Sequence, residues 1–485
     1  MLKDSYDLII AGGGPAGLSA AIGASEAGLK DILIVERMKE LGGVLYQCIH
    51  MGFGLLKFGE EMTGPEYADR IISLVKELDI DILTDATVLK IEKDKRVIIA
   101  SAQEGIKICK TRAVIIATGC RERPAGTLPI AGTRPSGIFT AGAAQRLINL
   151  KGLSVGNKII ILGSGDIGMI MARRLTLLGK EVSCVIEQYP YCTGLLRNKV
   201  QCLDDFNIKL LTSHTVTEIF GNERIEGVAV CPVDENLEPD FSRKFRMDCD
   251  TLITSVGLIP ETELLDEIGQ QPWIFTCGNA AYVHDLVDHV SEEGEMTGKY
   301  AAQYVKGCKR SGAFTNSDFA CPDIGLANGL ANGAEYNGAA YNEAVYNEVV
   351  YNKPVPRRKL SRNEIACTIC PRSCVLSVNG DEISGAGCER GEEYARTELA
   401  SPKRYVTATV AVKGVPEKRI PVRSAAPVPK DKIPEIMNEI RSISVGPDVV
   451  SGQVIHRNAG GTGVDLIATT GPMKKQGIDE ETRYR

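Results

Sequence analysis

The sequence carries little excess charge and few aromatic side chains. Its 485 residues hold 56 basic and 62 acidic groups, a net charge of −6, which leaves no basic footprint for nucleic acid or an anionic membrane surface. Aromatics make up 5% of the chain against 50 glycines, a balance that suits glycine turns and strand–helix units better than an all-β sandwich. No uninterrupted apolar stretch approaches the ~20 residues that span a bilayer. The opening MLKDSYDLII puts acidic residues ahead of its first apolar run, so no signal peptide is expected. H-E-x-x-H is missing, and so is any Ser-His-Asp order tied to a nucleophile elbow, which removes two common hydrolase classes. Fifteen cysteines without an export signal point to a reducing compartment with cofactor or metal thiols. A cytoplasmic location is the expectation.

What the chain does contain is one nucleotide-binding device, twice. Tyr6–Ala11 (YDLIIA) is a short apolar run that stops at GGGPAGLSAA, with Gly12, Gly14 and Gly17 in G-x-G-x-x-G order around Pro15 and Ala16. A helical pattern follows, then DILIVE, which ends at Glu36 with Arg37 behind it. The first glycine permits the tight turn, the second lets a pyrophosphate approach, and the third lets helix and strand pack. The helix N-terminus offers free N–H groups to the phosphates, and Glu36 stands where a carboxylate accepts ribose hydroxyls. The device recurs at KIIILGSGDIGMIMA, with Gly163, Gly165 and Gly168 around Asp166 and Ile167, and Glu187 closing the second strand. Each glutamate follows its last glycine by 19 residues. One glycine motif alone is weak evidence; two complete β-α-β copies with matched acidic residues are strong. They suggest one flavin and one nicotinamide.

On these residues the sequence resembles the two-dinucleotide-binding-domain flavoproteins, which include the disulfide reductases. RAVIIATGCRERP, with Ala117, Thr118 and Gly119, looks like the element that returns beneath the flavin, and TLITSVGLIPET, with Gly257, looks like its counterpart. The resemblance implies FAD on the first glycine unit and a nicotinamide on the second. Glu187 would repel a 2′-phosphate and QYPYC after it has no arginine, so NAD(H) is favoured over NADP(H). Gly43, in the pair of LGGV, belongs beside the pyrophosphate. The family's closing Gly-Asp pair is represented here by Gly278 and Asn279, an amide in place of a charge.

After Gly307 the pattern breaks, and Tyr-Asn recurs at Tyr336, Tyr341, Tyr346 and Tyr351. A five-residue step fits neither helix nor strand period, so 311–362 reads as a low-complexity linker or, alternatively, a docking segment. Beyond it CTICPRSC and GAGCERGEEYA align Cys367, Cys370, Cys374 and Cys388 as C-x2-C-x3-C-x13-C. Zinc and an iron–sulfur cluster both take four thiolates. The compact run with one remote cysteine, and Pro371, favour the cluster, with zinc as the alternative. This stretch resembles a small domain family of unknown function that accompanies an FAD/NAD oxidoreductase of anaerobic glycerol-3-phosphate oxidation. The N-terminal part, through GGVLYQCIHMGFGL and CGNAAYVHDLVDHV, is similar to that partner and to subunits of hydrogen cyanide synthase and opine oxidases.

The expected architecture is therefore α/β. It has two Rossmann-like domains, an FAD domain at 1–150 and 258–310 and an NAD(H) domain at 151–257, and a small C-terminal α+β cysteine-cluster domain at 363–485. The resemblance implies hydride transfer between NAD(H) and FAD, with electrons passing through the cysteine module to or from a second, glycerol-3-phosphate-oxidising flavoprotein. It also implies an oligomeric assembly that reaches the membrane only through a partner. Two alternatives stay open: an NADH oxidase, peroxidase or disulfide reductase that uses Cys48, and a non-catalytic assembly component with structural zinc. The disulfide reductases place their cysteines in GG-x-C-x4-C, and counting from Gly43 those positions hold Leu45 and His50. Cys48 therefore reads as packing more readily than as a redox thiol. His284 is a candidate for proton handling beside the flavin, and the plainer reading packs or solvates both it and His289.

Overall fold

In the computed structural model, which describes residues 2–307, 360–361, 363–380 and 382–470, the apolar run YDLIIA lies within the strand Ser5–Ala11 at the centre of a seven-stranded sheet. It pairs in parallel with Ile32–Val35 on one side and Gly105–Ile116 on the other, setting Ile10 beside both Ile34 and Ile115. Asp81–Leu83 and Ile274–Thr276 extend the parallel part, while Ala86–Ile91 and Arg96–Ser101 add an antiparallel edge. Successive side chains face opposite sides: Leu8, Ile10, Ile34 and Ile115 enter one core, and Ile9, Leu33, Val35 and Val114 another. Burial on both faces is why these strands are apolar throughout instead of alternating; each such side chain contributes roughly 1.5–3 kcal/mol of transfer free energy.

The helix Pro15–Glu26 packs against Val287–Gly307 with their backbones nearly touching. A Cβ on Gly294 would come within 2.3 Å of the Ala16 carbonyl oxygen, and one on Gly298 within 2.0 Å of that of Ala20. The small residues along both helices are thus a packing requirement.

These elements form the first of two compact units, which takes, of the described residues, 2–46, 52–124 and 256–307. The second takes Gln47–Met51, Ala125–Ser255 and, of the described residues beyond 356, 360–361, 363–380 and 382–470. It is built on a five-stranded parallel sheet in the order Ile138–Thr140, Thr251–Thr254, Lys158–Leu162, Glu181–Ile186, Leu210–Leu211. The helix Asp166–Leu177 follows the central strand, and an antiparallel sheet of His214–Gly221, Ile225–Pro232 and Phe245–Asp248 stands beside it.

The C-terminal segment belongs to this same unit. A three-stranded sheet, Glu364–Ala366, Val375–Asn379 and Glu382–Ser384, carries the cysteines and precedes the helix Glu389–Ala400. A five-stranded sheet led by Thr407–Val412 and Val415–Ser424 packs on the helix Ile433–Ser442 through Ile433, Ile436, Met437 and Ile440, the i, i+3, i+4, i+7 spacing of one helical face. Leu177, from the helix Asp166–Leu177, enters that core. At the same seam Arg404, 5% exposed, pairs with Asp205, 6% exposed, at 2.6 Å and with Glu398 at 2.6 Å. The linker expected at 311–362 lies outside the described residues apart from 360 and 361.

Candidate dinucleotide sites and cysteine module

In the first glycine loop each glycine has a different task. Gly12 adopts φ +115°, and a Cβ there would lie 2.2 Å from the Ala117 carbonyl oxygen. A Cβ on Gly17 would lie 1.9 Å from the Gly12 carbonyl oxygen. Around Gly14 nothing comes within 4 Å of where a Cβ would stand. This is a turn glycine, a packing glycine and between them an open approach. Gly14 caps the helix Pro15–Glu26 with no side chain bonded to the free amides, and Pro15 and Ala16 open its first turn. The donor groups at that end therefore suit an anionic ligand.

The remaining residues of the first site gather at the same helix end. Gly43, at φ +57°, would bring a Cβ to 3.2 Å from the Gly14 Cα, and one on Gly278 would come to 2.6 Å from the Ala16 Cβ. Ala117 donates its amide to the Ala11 carbonyl, and the Thr118 hydroxyl donates to the Glu261 carbonyl at 2.5 Å. Glu261 in turn donates its amide to Gly119 and pairs through its carboxylate with Arg37 at 3.0 Å. Gly257, at φ +110°, accepts the Arg123 amide. The first glycine unit, the pair at Gly43 and the Gly278–Asn279 turn thus form a cradle that an FAD pyrophosphate and ribose fit.

The second loop repeats the construction. Gly163 sits at φ +101° with a would-be Cβ 2.0 Å from the Ser255 carbonyl oxygen, and Gly168 stands 2.6 Å from that of Gly163 in the same sense. Gly165 meets only Ser255, whose hydroxyl lies at 3.7 Å. Asp166 and Ile167 begin the helix Asp166–Leu177, and the Asp166 carboxylate accepts the Leu195 amide at 2.8 Å.

The two glutamates have a role that sequence reasoning missed. Glu36 accepts the Gly13 amide at 2.7 Å and the Met38 amide at 2.7 Å. Glu187 accepts the Ser164 amide at 2.9 Å, its hydroxyl at 2.6 Å and the Tyr189 amide at 3.1 Å. Each carboxylate is buried and clamps its own glycine loop, and Glu187 accepts the Thr193 hydroxyl as well, at 3.1 Å. The clue in the sequence was Ser164, a hydroxyl placed inside the motif.

At the Gly278–Asn279 turn, His284 is buried, with its side chain 2% exposed. Its Nε2 lies 2.6 Å from Glu293 Oε2, which also accepts the Gly278 amide. The Asn279 side-chain oxygen accepts the His284 amide at 3.0 Å, so Asn279 is oriented by the turn it closes. Burial, with His284 nearby, depresses the His289 imidazole.

Cys48 belongs to the second unit, whereas the glycine pair that precedes it in the chain belongs to the first. Its thiol contacts Gln145 Oε1 at 3.8 Å, and burial pushes its pKa up to about 12. A thiol so placed stays protonated near neutrality and is a poor nucleophile.

The four C-terminal cysteines come from three elements. Cys367 follows the strand Glu364–Ala366 and donates its amide to the Cys374 carbonyl at 2.8 Å; Cys370 lies in the turn between them; Cys388 caps the helix Glu389–Ala400. Burial raises the Cys367 thiol to about 11, and Cys370, Cys374 and Cys388 all add to the rise. Among the described residues no three His, Cys, Asp or Glu side chains stand at the distances of a closed metal site. Also among the described residues, no helix is long and apolar enough to cross a membrane.

Comparison with known proteins agrees with this geometry. Residues 389–470 match the DUF1667 family, a domain of unknown function. The chain is 27% identical over 287 residues to the hydrogen cyanide synthase component HcnB of Pseudomonas protegens, covering 55% of this chain and 59% of that protein. It is 28% identical over 213 residues to an opine oxidase subunit of Agrobacterium tumefaciens, covering 42% and 41%. The chain thus spans only about half the length of these curated relatives. Lactococcus lactis thioredoxin reductase shares the fold at a TM-score of 0.50 and 20% identity, over 62% of this chain and 99% of that one. Residues 6–278, more than half of the chain, match the pyridine nucleotide-disulphide oxidoreductase family; with both glycine loops built as that family requires, the chain belongs to it, a family of FAD- and NAD(P)-dependent oxidoreductases.

Proposed function

We propose that this protein exchanges hydride between NAD(H) and FAD and passes electrons through its cysteine module to or from a second flavoprotein, one that oxidises glycerol 3-phosphate. The observation that carries the first half is the pair of loops with identical construction, each with a turn glycine, an open glycine, a packing glycine and a clamping glutamate. When bound, the two dinucleotides supply the hydride chemistry between the nicotinamide ring and the flavin. The chain's own residues bind and orient. Gly14 and Gly165 leave room for pyrophosphates, helix amides donate to them, and Glu36 and Glu187 accept ribose hydroxyls. The Glu187 carboxylate opposes a 2′-phosphate, which favours NAD(H).

Cys367, Cys370, Cys374 and Cys388 would hold an iron–sulfur cluster, whose chemistry is single-electron transfer. Their C-x2-C-x3-C-x13-C spacing supports this reading; zinc would fit the same thiolates but give electrons no exit. The high Cys48 pKa argues against a disulfide-reductase mechanism, and the intact second loop argues against a merely structural role. Two relatives are named as subunits of larger enzymes, which supports a partner and an oligomeric assembly. The glycerol-3-phosphate branch rests on motif resemblance. A cytoplasmic location, with any membrane contact made by the partner, completes the proposal. Anaerobic NADH titration of the flavin, with metal analysis and EPR of the same sample, tests it: flavin that bleaches and iron that reduces are expected, whereas stoichiometric zinc without iron would remove the electron exit.

A further inference from the structure

At the seam between the helix Asp166–Leu177 and the strand Thr407–Val412 lies a cavity with about 30 Å³ of room for the centres of water-sized atoms. That is space for two or so waters, or one ion. His50, Arg173 and Arg174 line it together with amide and apolar side chains, and no carboxylate does.

Arg174 is 6% exposed. Its Nε donates to Asn149 Oδ1 at 2.9 Å and its Nη2 to Thr409 Oγ1 at 3.2 Å, both neutral acceptors, while Nη1 has no hydrogen-bond partner among the described residues. The neighbouring Arg173 donates through Nη2 to the Tyr405 carbonyl at 2.8 Å, and its buried Nε is likewise unpartnered among them. Burial lowers both guanidiniums, Arg174 to about 9, and Arg419 beside Arg174 adds to that. Arg173 feels the Cys202 thiol and then Asp205, but burial pushes that thiol up to about 12, so it stays uncharged, and the carboxylate is held at 2.6 Å by Arg404 and at 2.6 Å by Lys430. The imidazole of His50 is pushed down to about 4 by burial and then by Arg197 and Arg173, so it is uncharged near neutrality and supplies no counter-charge.

A buried guanidinium without a counter-charge is costly, and an orphaned buried donor calls for a partner. We propose that this cavity binds one small monovalent inorganic anion of halide size between Arg173 and Arg174. The ion accepts from the orphaned donors and completes the charge balance where the cysteine module meets the nicotinamide domain, since Tyr405 and Thr409 come from the module. Multiatom organic anions are too large for the cavity. This inference is independent of the redox reading above.

The test uses the full-length holoprotein at constant ionic strength, exchanging sodium gluconate for sodium chloride or bromide and following thermal unfolding. The expected result is a saturable rise in Tm with either halide, lost in Arg174→Met. Bromide-soaked crystals of the unaltered protein should show an anomalous peak within hydrogen-bond distance of Arg174 Nη1, which decides the matter even if the variant fails to fold. Superimposable halide and gluconate titrations, an undiminished halide response in Arg174→Met, or a cavity without bromide would each overturn the proposal.

Discussion

Glu187 Oε2 accepts both the amide and the hydroxyl of Ser164, at 2.9 and 2.6 Å. The carboxylate to which we assign nicotinamide selection also holds the second glycine loop. Affinity and loop order should therefore fall together when it is changed. In Glu187→Gln, loss of a charge-assisted hydrogen bond worth ~1.5–3 kcal/mol should raise KM for NADH about 10- to 100-fold. The ratio of kcat/KM for NADPH over NADH should rise, because the charge opposing a 2′-phosphate is gone. Steady-state kinetics with both cofactors checks this.

The open space at Gly14 and the tight packing at Gly17 separate binding from folding. Gly14 has an ordinary φ of −79° and no neighbour within 4 Å of a Cβ position, so Gly14→Ala should fold with unchanged stability yet purify with little flavin. Gly17→Ala drives a methyl into the Gly12 carbonyl and should lower stability, by about 1–3 kcal/mol for an overpacked site, besides losing flavin. Flavin content and denaturation midpoints of the two variants, compared as apoproteins, distinguish these outcomes.

Both glycine loops were legible because the outer two glycines of each admit no other residue: the left-handed φ of Gly12 and Gly163 and the close approaches at Gly17 and Gly168 write glycine into the chain at fixed intervals. The parallel sheets were legible from runs apolar at every position. The clamp from glutamate to loop amide was missed because the carboxylate and Gly13 or Ser164 stand 23 residues apart, with nothing local to pair them. The docking of the C-terminal segment within the second unit was invisible for the same reason, since Arg404 and Asp205 are 199 residues apart. His284 was noticed as a histidine, but its partner Glu293 lies nine residues further on and carries no motif. The Tyr-Asn repeat at 336–351 falls outside the described residues.

The Arg404–Asp205 pair should be a stability determinant of the second unit. Both side chains are buried and Lys430 shares the carboxylate. Asp205→Ala leaves two cations without that partner, and breaking a buried pair from one side costs about 3–5 kcal/mol. Urea denaturation should show the second unit melting earlier, and limited proteolysis should release the module more readily. An unchanged midpoint would mean that the pair is solvated and dispensable.

His50 makes the protein acid-sensitive in a defined window. Its imidazole is depressed from 6.5 to about 4, mainly by burial. The unfolded chain binds that proton below about pH 6.5 and the folded chain only below about 4. The stability is therefore fully present above pH 6.5 and lost as pH falls toward 4, a contribution on the order of 3 kcal/mol at 1.36 kcal/mol per pH unit. In His50→Gln the stability–pH slope between 6.5 and 4 should flatten by about one proton.

Cysteine substitution should separate the module from Cys48. Cys374→Ser is expected to lose bound metal while leaving flavin content intact. Cys48→Ser should keep NADH-driven flavin reduction within about 2-fold, since at pH 8 a thiol with pKa near 12 is on the order of one part in ten thousand thiolate. Metal analysis and stopped-flow absorbance on both variants check the contrast.

The most direct test of the two-site account is single-turnover mixing of the oxidised holoprotein with NADH under anaerobic conditions, followed at the flavin absorbance. The account predicts flavin bleaching at a rate consistent with turnover, complete once NADH has supplied electrons for the cluster as well as the flavin, and bleaching at least about 10-fold slower in Glu187→Gln at subsaturating NADH, from the bond energy above. Flavin that stays oxidised with saturating NADH in the unaltered protein would contradict it.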